Sequence, residues 1–434
     1  MLIRSVFLVV TVLPLVWSLG LREEFTWTRI NYVMFSSRYN VGRKLNNLGE
    51  NTEIVFPSDD PVSGVGSELN QNDDYIYENN IPMGANRWED KLFITVPRRR
   101  NGVPSTLNYV SINSRNRHNV PLIPYPDAES NMLRNDGTNG IVSVYRVAVD
   151  VCDRLWMVDT GTIELPGNIT HVQPPSILIF DLKTDRLIRK YVLKERDYTS
   201  SSTLADVTID VTRSDCTNAY AYIPDVGGYG MIVYSFHEND SWRVTHNYFY
   251  LEPIAGEMSI GGFKFQWNDG IFSIALGSLR KDGFRTAYFH SMAGISIYAV
   301  STRILRNKQL ATRSYHGDDF KVVGRRELGY QSSSSALYQS NGVLFLGLVN
   351  KNALGCIKTG QRLMADPVTV GIVQRDDNKM IYPCDVKIYK NDVILLTNTM
   401  PVFLYGNLDY SQVNFRVWME NVDKALEGTG CLKR

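Results

Sequence analysis

Five polar residues stand where short apolar β runs end, and together they could carry out proton transfer. Asp159 closes Leu155-Trp156-Met157-Val158, Asp225 follows Ala219-Tyr220-Ala221-Tyr222-Ile223-Pro224, and His290 follows Ala287-Tyr288-Phe289. Asn350 and Asn398 hold comparable places after Leu344-Phe345-Leu346-Gly347-Leu348 and Val393-Ile394-Leu395-Leu396-Thr397. If these tips meet at one mouth of a ring, His290 is the natural general base. Asp159 or Asp225 would then orient it or receive an ammonium. A plainer account competes, because an Asp at a strand end near Gly is usually a turn former. Other catalytic readings fail. Asp159-Thr160-Gly161 resembles an aspartic-protease triplet, but that chemistry needs two copies sharing a proton, and there is one. His118, His171, His237, His246, His290 and His316 show no metal-ligand spacing. Neither a Gly-rich phosphate loop nor a GxSxG elbow is present. No metal and no cofactor are expected.

The same runs define the scaffold. Leu92-Phe93-Ile94-Thr95-Val96 joins the five already named, and the series recurs at intervals of about 50 to 70 residues. Most are preceded by another β-rich run, such as Val147-Ala148-Val149-Asp150 or Val207-Thr208-Ile209-Asp210. Units of this size bury a core only when stacked radially, which predicts an all-β, six-bladed β-propeller. An open ring edge invites aggregation, so the N-terminal strand near Phe25 is expected to close the last blade. Only the stretch 422–427 is mildly helical. The Ser332–Ser335 run reads as a polar lead-in to the fifth unit, and 57–80 as loop.

The chain has 434 residues, 44% of them hydrophobic and 21% charged, with 46 basic against 45 acidic side chains. That balance lacks the footprint of a nucleic-acid binder. Arg98-Arg99-Arg100 precedes Asn101-Gly102 and reads as a solvated hairpin turn. Residues 1–20 read as a signal peptide, with Arg4 ahead of an apolar stretch and small residues Ser18 and Gly20 at its end. No segment has the length of a membrane span. The remainder, 21–434, reads as one secreted domain with glycan acceptors at Asn168 and Asn239. Five cysteines then suggest two disulfides and one thiol. Cys152 and Cys216 occupy equivalent turns of adjacent units and are expected to pair. Cys356 and Cys431 form the second pair, leaving Cys384.

Further blocks carry a resemblance. They include Val96-Pro97-Arg98, Asn101-Gly102-Val103-Pro104-Ser105-Thr106-Leu107, Pro124-Tyr125-Pro126-Asp127 and Cys152-Asp153-Arg154-Leu155-Trp156-Met157-Val158-Asp159-Thr160-Gly161. Ala299-Val300-Ser301-Thr302-Arg303-Ile304-Leu305, Ala353-Leu354-Gly355-Cys356, Met400-Pro401-Val402-Phe403-Leu404 and Asn414-Phe415-Arg416 follow in order. With these the chain resembles the insect Yellow and major royal jelly protein family over nearly its whole mature length. Phe265-Gln266-Trp267 and Leu408-Asp409-Tyr410-Ser411 look closer to the Yellow branch.

The resemblance implies a six-bladed propeller, the same two disulfides, and a role in cuticle or melanin pigmentation. It implies handling of dopa-derived aromatics in the central channel, by binding or by dopachrome isomerisation. A non-catalytic carrier of biogenic amines and a structural or signalling extracellular protein are the alternatives. Amine-binding relatives hold their ligand at positions that correspond to Tyr145, Cys384, Asn398 and Met400. Tyr145 and Asn398 match in type; Cys384 stands for a hydroxyl and Met400 for a phenyl ring. Those two departures keep the wall apolar but remove a hydrogen bond and a stacking partner. Dopachrome conversion needs a base for a carbon-bound proton, for which His290, with Asp159 or Asp225, is the candidate.

Overall fold

A computed structural model describes residues 20–33, 75–134, 138–164, 169–360 and 367–432. Residues 1–19 of the expected signal peptide, most of the polar stretch before residue 75, and Asn168 lie outside the described residues. Six four-stranded antiparallel sheets stand around one axis as blades of a β-propeller. Their innermost strands are Gly84–Trp88, Val144–Val149, Thr208–Thr212, Ile271–Leu276, Ser332–Tyr338 and Pro383–Tyr389. Each packs on the next, and the last packs on the first.

The recurring apolar runs are the second strand of every blade. Arg154–Asp159, Val343–Leu348 and Asp392–Thr397 are buried almost end to end. A second strand lies between two others in its own sheet and between two neighbouring blades, so both its faces are dry. Outer strands are wetter, as in Arg186–Val192, where most residues are exposed. Several hairpin turns place Asp or Asn at positive φ, among them Asp153 (60°), Asp185 (54°) and Asn239 (50°).

The sixth blade is built from both ends of the chain. Arg22–Trp27 pairs with Phe415–Asn421, with Phe25 opposite Val417 and Trp27 opposite Phe415. Both aromatic rings are fully buried. The strand also reaches the first blade: Thr26 N–H donates to Arg117 O (2.9 Å) and Trp27 Nε1 to Val120 O (2.7 Å). It therefore completes the last blade and seals it to the first.

Disulfides join Cys152 to Cys216 and Cys356 to Cys431, and Cys384 is a buried free thiol. The first links the inner turns of blades two and three; the second ties the C-terminal tail to blade five. The mildly helical tail is the short helix Val422–Ala425. Among the described residues no helix is long and apolar enough to cross a membrane.

Two sequence readings are corrected here. Ser332–Ser335 is not a lead-in but the start of blade five's inner strand, with all four serines buried. The arginine run is not a solvated turn. Arg98 and Arg99 are buried, and Arg100 donates to Phe403 O at 2.8 Å.

Candidate functional site

Inner-strand side chains meet at the axis, and there the chain places charge. Arg146 donates to Asp206 (3.3 Å), to the carbonyl of Ser333 (3.2 Å) and to that of Cys384, and its Nε lies 3.7 Å from Asp385. Lys387 donates to Asp206 (2.9 Å) and sits 3.3 Å from Asp385. Asp385 also accepts from Ala85 N–H (3.1 Å) and from Ser334 Oγ (3.3 Å). Two cations thus face two anions, and blades one, two, three, five and six are joined through them. Phe272 of blade four stacks under the Arg146 guanidinium at 4.7 Å. Buried ions persist only when paired and hydrogen-bonded, and here nearly every one has several partners. This brace divides the channel.

Beyond it, at the C-terminal ends of the inner strands, a cavity of about 230 Å³ is lined by Asn86, Ala148, Thr208, Leu276, Leu337 and Lys387 among others. Larger hollows of about 730 and 580 Å³ lie away from the axis, on the flanks of blades three and four. None of these contains the ligand positions expected from the family resemblance.

Those positions sit at the other end, where the inner strands begin. A hairpin between blades three and four, Glu257–Ile260 and Phe263–Gln266, turns at Gly261-Gly262 with φ of 60° and 85°. Ser259 N–H donates to Asn350 Oδ1 on blade five (2.9 Å). A Cβ on Gly261 would lie 2.9 Å from Val402, so the tip rests against the helix Met400–Tyr405 of blade six. Phe265 and Tyr405 add a ring contact at 4.9 Å. From blade one, Arg100 stacks on Phe403 at 4.0 Å. Hairpin and helix together cover this mouth.

Under the cover, Tyr145, Met258, Phe272, Met292, Tyr382, Cys384 and Met400 belong to one buried cluster. Tyr145 is 4% exposed, and its hydroxyl accepts from Arg99 Nη1 at 3.4 Å. Cys384 Sγ meets Met83 O at 3.7 Å, and burial pushes its thiol well up, so it stays protonated and unreactive. Asn398 donates to Pro82 O (2.8 Å) and Met83 Sδ (3.1 Å), and accepts from Met400 N–H (3.2 Å). Its amide therefore stitches blade six to blade one, with one acceptor lone pair left over.

The expected acid–base set is not assembled. Asp159 accepts from the N–H groups of Val142, Ser143 and Gly161 and from Gln173 Nε2, at 2.8–3.1 Å. Asp225 accepts from Ser202 Oγ, Thr203 N–H, Gly228 N–H and Arg243, at 2.5–2.9 Å. Both carboxylates tie a strand end to the segment leading into their own blade. Neither touches His290 among the described residues. His290 is buried, with Nδ1 3.4 Å from Ser291 O and Nε2 without a partner among the described residues. Burial, with Arg326 and Arg146 adding to it, holds the imidazole neutral by pushing its pKa well down. Asn350 serves the hairpin, as described.

Sequence reasoning missed two charged groups at this mouth. Asp269 lies just past the hairpin; burial lifts its carboxyl to about 6, against a hydrogen bond from Trp267 and the field of Arg99. Arg99 is the second. The alternation Phe265, Trp267, Asp269 after a Gly-Gly turn was the available signal, since these three share one face of an extended segment.

The sequence pattern of the family described as "Major royal jelly protein" matches residues 142–431. Over 359 residues the chain is 39% identical to "L-dopachrome tautomerase yellow-f" of Drosophila melanogaster, covering 82% of this chain and 83% of that protein. It is 40% identical over 361 residues to "Protein yellow" of the same species, covering 82% of this chain but 65% of that one. Among solved structures, the PQQ-bound aldose sugar dehydrogenase of Streptomyces coelicolor aligns at 11% identity and TM-score 0.42, over 79% of this chain and 95% of that one. That likeness is too slight to bear on function.

Proposed function

Because this chain belongs to the major royal jelly protein family, on its Yellow branch, we propose that it acts in insect pigment chemistry, isomerising dopa-derived aromatics under its covered mouth. The carrying observation is the buried apolar cluster that Tyr145 and Met400 join beneath the hairpin 257–266. A flat catechol or indole ring suits such a wall, and exclusion of water protects a reactive quinone from side reactions. One relative is named for L-dopachrome tautomerisation, which supports an aromatic ligand of that kind.

A carrier without turnover is the second reading. It is favoured by the commitment of Asn398, Asp159 and Asp225 to the fold, which leaves the expected acid–base set unassembled. One experiment separates the two. Purified protein is added to L-dopachrome while the colour is followed, and calorimetry with dopamine is run beside it. Catalytic decay supports the isomerase, and stoichiometric heat without decay supports the carrier. Silence in both refutes this mouth as a ligand site and leaves a structural or signalling role for the outer faces.

We further propose that residues 1–20 are removed on export and that 21–434 form one secreted domain. Two disulfides fit an oxidising compartment. Asn239 sits on an exposed turn, where its Oδ1 is held by Arg189 (2.6 Å) and Tyr234 (2.8 Å). Its Nδ2 has no partner among the described residues and is left to carry a glycan.

A further inference from the structure

The hollow of about 580 Å³ on the flank of blade four is lined by a carboxylate, Glu252, a guanidinium, Arg325, and the rings of Tyr248, Tyr250 and Tyr298. One side of it is formed by the third and fourth strands of that blade, Ser296–Ser301 and Phe320–Arg325, in which Ser296 stands opposite Arg325 and Tyr298 opposite Val322. The other side is the connection from blade three. That connection is fixed where Ser291 Oγ donates to Tyr250 O (2.6 Å) and Glu252 N–H donates to Ala293 O (2.7 Å). Glu252 Oε1 accepts from Ser296 N–H (2.9 Å) and from the Tyr298 hydroxyl (3.2 Å), and its other oxygen has no partner among the described residues. Arg325 makes one side-chain bond among them, from Nε to Ser296 Oγ at 3.5 Å. Glu252 and Arg325 thus flank one serine, yet no ion pair joins them among the described residues. Arg326, next in the chain, donates to Ile295 O and Gly294 O (3.1 Å each) and forms no ion pair with Glu252 either. Aromatic and apolar groups line the same hollow. Tyr248 stacks on Tyr298 at 4.5 Å, and Tyr250 stacks on Tyr229 at 4.7 Å while staying 52% exposed. Ile254 and Val322 are also exposed there, and large apolar groups left open together mark a binding surface.

We propose that this hollow binds a free aromatic amino acid as its zwitterion: Glu252 takes the ammonium, Arg325 takes the carboxylate, and the tyrosines receive the ring. An anion and a cation held beside one serine, without pairing, are complementary to a ligand that carries both charges on one carbon. The guanidinium meets a carboxylate through two parallel N–H donors, and the open oxygen of Glu252 accepts from the ammonium. Tyrosine faces attract that ammonium as well, and they pack a planar side chain in offset or edge-on geometry. A volume of this size has room for one such ligand, and few polar groups converging within a mainly apolar lining is how small-molecule sites are built. Selectivity follows from the two charges. A decarboxylated amine leaves Arg325 without its anion, and a deaminated acid leaves Glu252 without its cation. The hollow lies off the axis, so the inference is independent of what the covered mouth binds.

The test is calorimetry on the purified full-length chain with L-phenylalanine, phenethylamine, 3-phenylpropionate and L-alanine, none of which oxidises as a catechol does. Each of the last three lacks one of the three contacts: the carboxylate, the ammonium or the ring. Wild type is expected to bind L-phenylalanine at least about tenfold more tightly than any of them. Arg325→Met should lower its affinity to that of phenethylamine, whereas Arg325→Lys keeps part of the preference. Glu252→Gln retains the acceptor for Ser296 and Tyr298 and should lower the affinity to that of 3-phenylpropionate. Near-ultraviolet circular dichroism checks each variant's fold, and the analogue series on wild type needs no variant. Equal affinities across the series overturn the zwitterion reading. L-phenylalanine binding that survives both Arg325→Met and Glu252→Gln overturns this hollow as the site. No heat with L-phenylalanine at millimolar concentration overturns the proposal outright, and it leaves the reading of the covered mouth standing.

Discussion

Replacing Arg146 by Met tests whether the axial brace holds the ring together. Arg146 is 1% exposed at its side chain and touches Asp206, Asp385, Ser333 O and Cys384 O. With it gone, Lys387 alone faces two buried carboxylates, and two carbonyls lose a charged donor. Removing one partner of a buried ion network costs about 3–5 kcal/mol. For a chain of this size the unfolding entropy is on the order of 0.7–0.9 kcal/mol per degree, so the melting midpoint should fall by about 5 °C. Calorimetry in low and high salt is the assay, and the loss should barely depend on salt because the charges are shielded from solvent. The double variant Arg146→Met/Asp385→Asn restores charge balance and should recover part of the loss. A single-variant cost below about 1 kcal/mol, or a double variant worse than the sum of the two singles, would refute the reasoning.

Three other outcomes are expected. Replacing Cys356 by Ser opens a loop of 75 positions and should lower stability by about 4 kcal/mol on the chain-entropy account, read by denaturant titration; an unchanged midpoint would count against it. Deleting residues 21–27 removes the buried Phe25 and Trp27 and exposes the Phe415–Asn421 edge, so aggregation in gel filtration is expected, and a soluble monomer would contradict the closure. The Asp269 carboxyl, lifted to about 6 from 3.8, keeps its proton in the folded chain where the unfolded chain has lost it. Its contribution to stability is thus full below about pH 4 and lost as pH rises through 6. Asp269→Asn should therefore look more stable relative to wild type at pH 7 than at pH 4, and an equal difference at both values would dismiss the shift.

The blade count was legible because every second strand is buried on both faces and so reads as a continuous apolar run. Inner strands were harder to see. Val144–Val149 carries Arg146, Ser332–Tyr338 opens on four serines, and Pro383–Tyr389 carries Asp385 and Lys387. Those polar groups face a dry axis and satisfy one another across blades, a pairing that no local window shows. The arginine run failed for the same reason: three like charges before Asn-Gly look solvated until the carbonyls of distant loops are brought to Arg98. Tyr145, Cys384 and Met400 were located through family likeness, and the fold buries them in one cluster. Arg99 and Asp269 come from segments far apart in sequence, with only tertiary structure to introduce them.

The strand that finishes blade six is the first to be made, and its partner is among the last. At about 5–20 residues per second, Phe25 and Trp27 must wait on the order of tens of seconds for Phe415 and Val417 to emerge. Throughout that interval a β segment carrying two large aromatic side chains is without its partner strand. Folding factors would have to shield it, and yield of the native ring should respond to translation speed over the final blade more than over any earlier one.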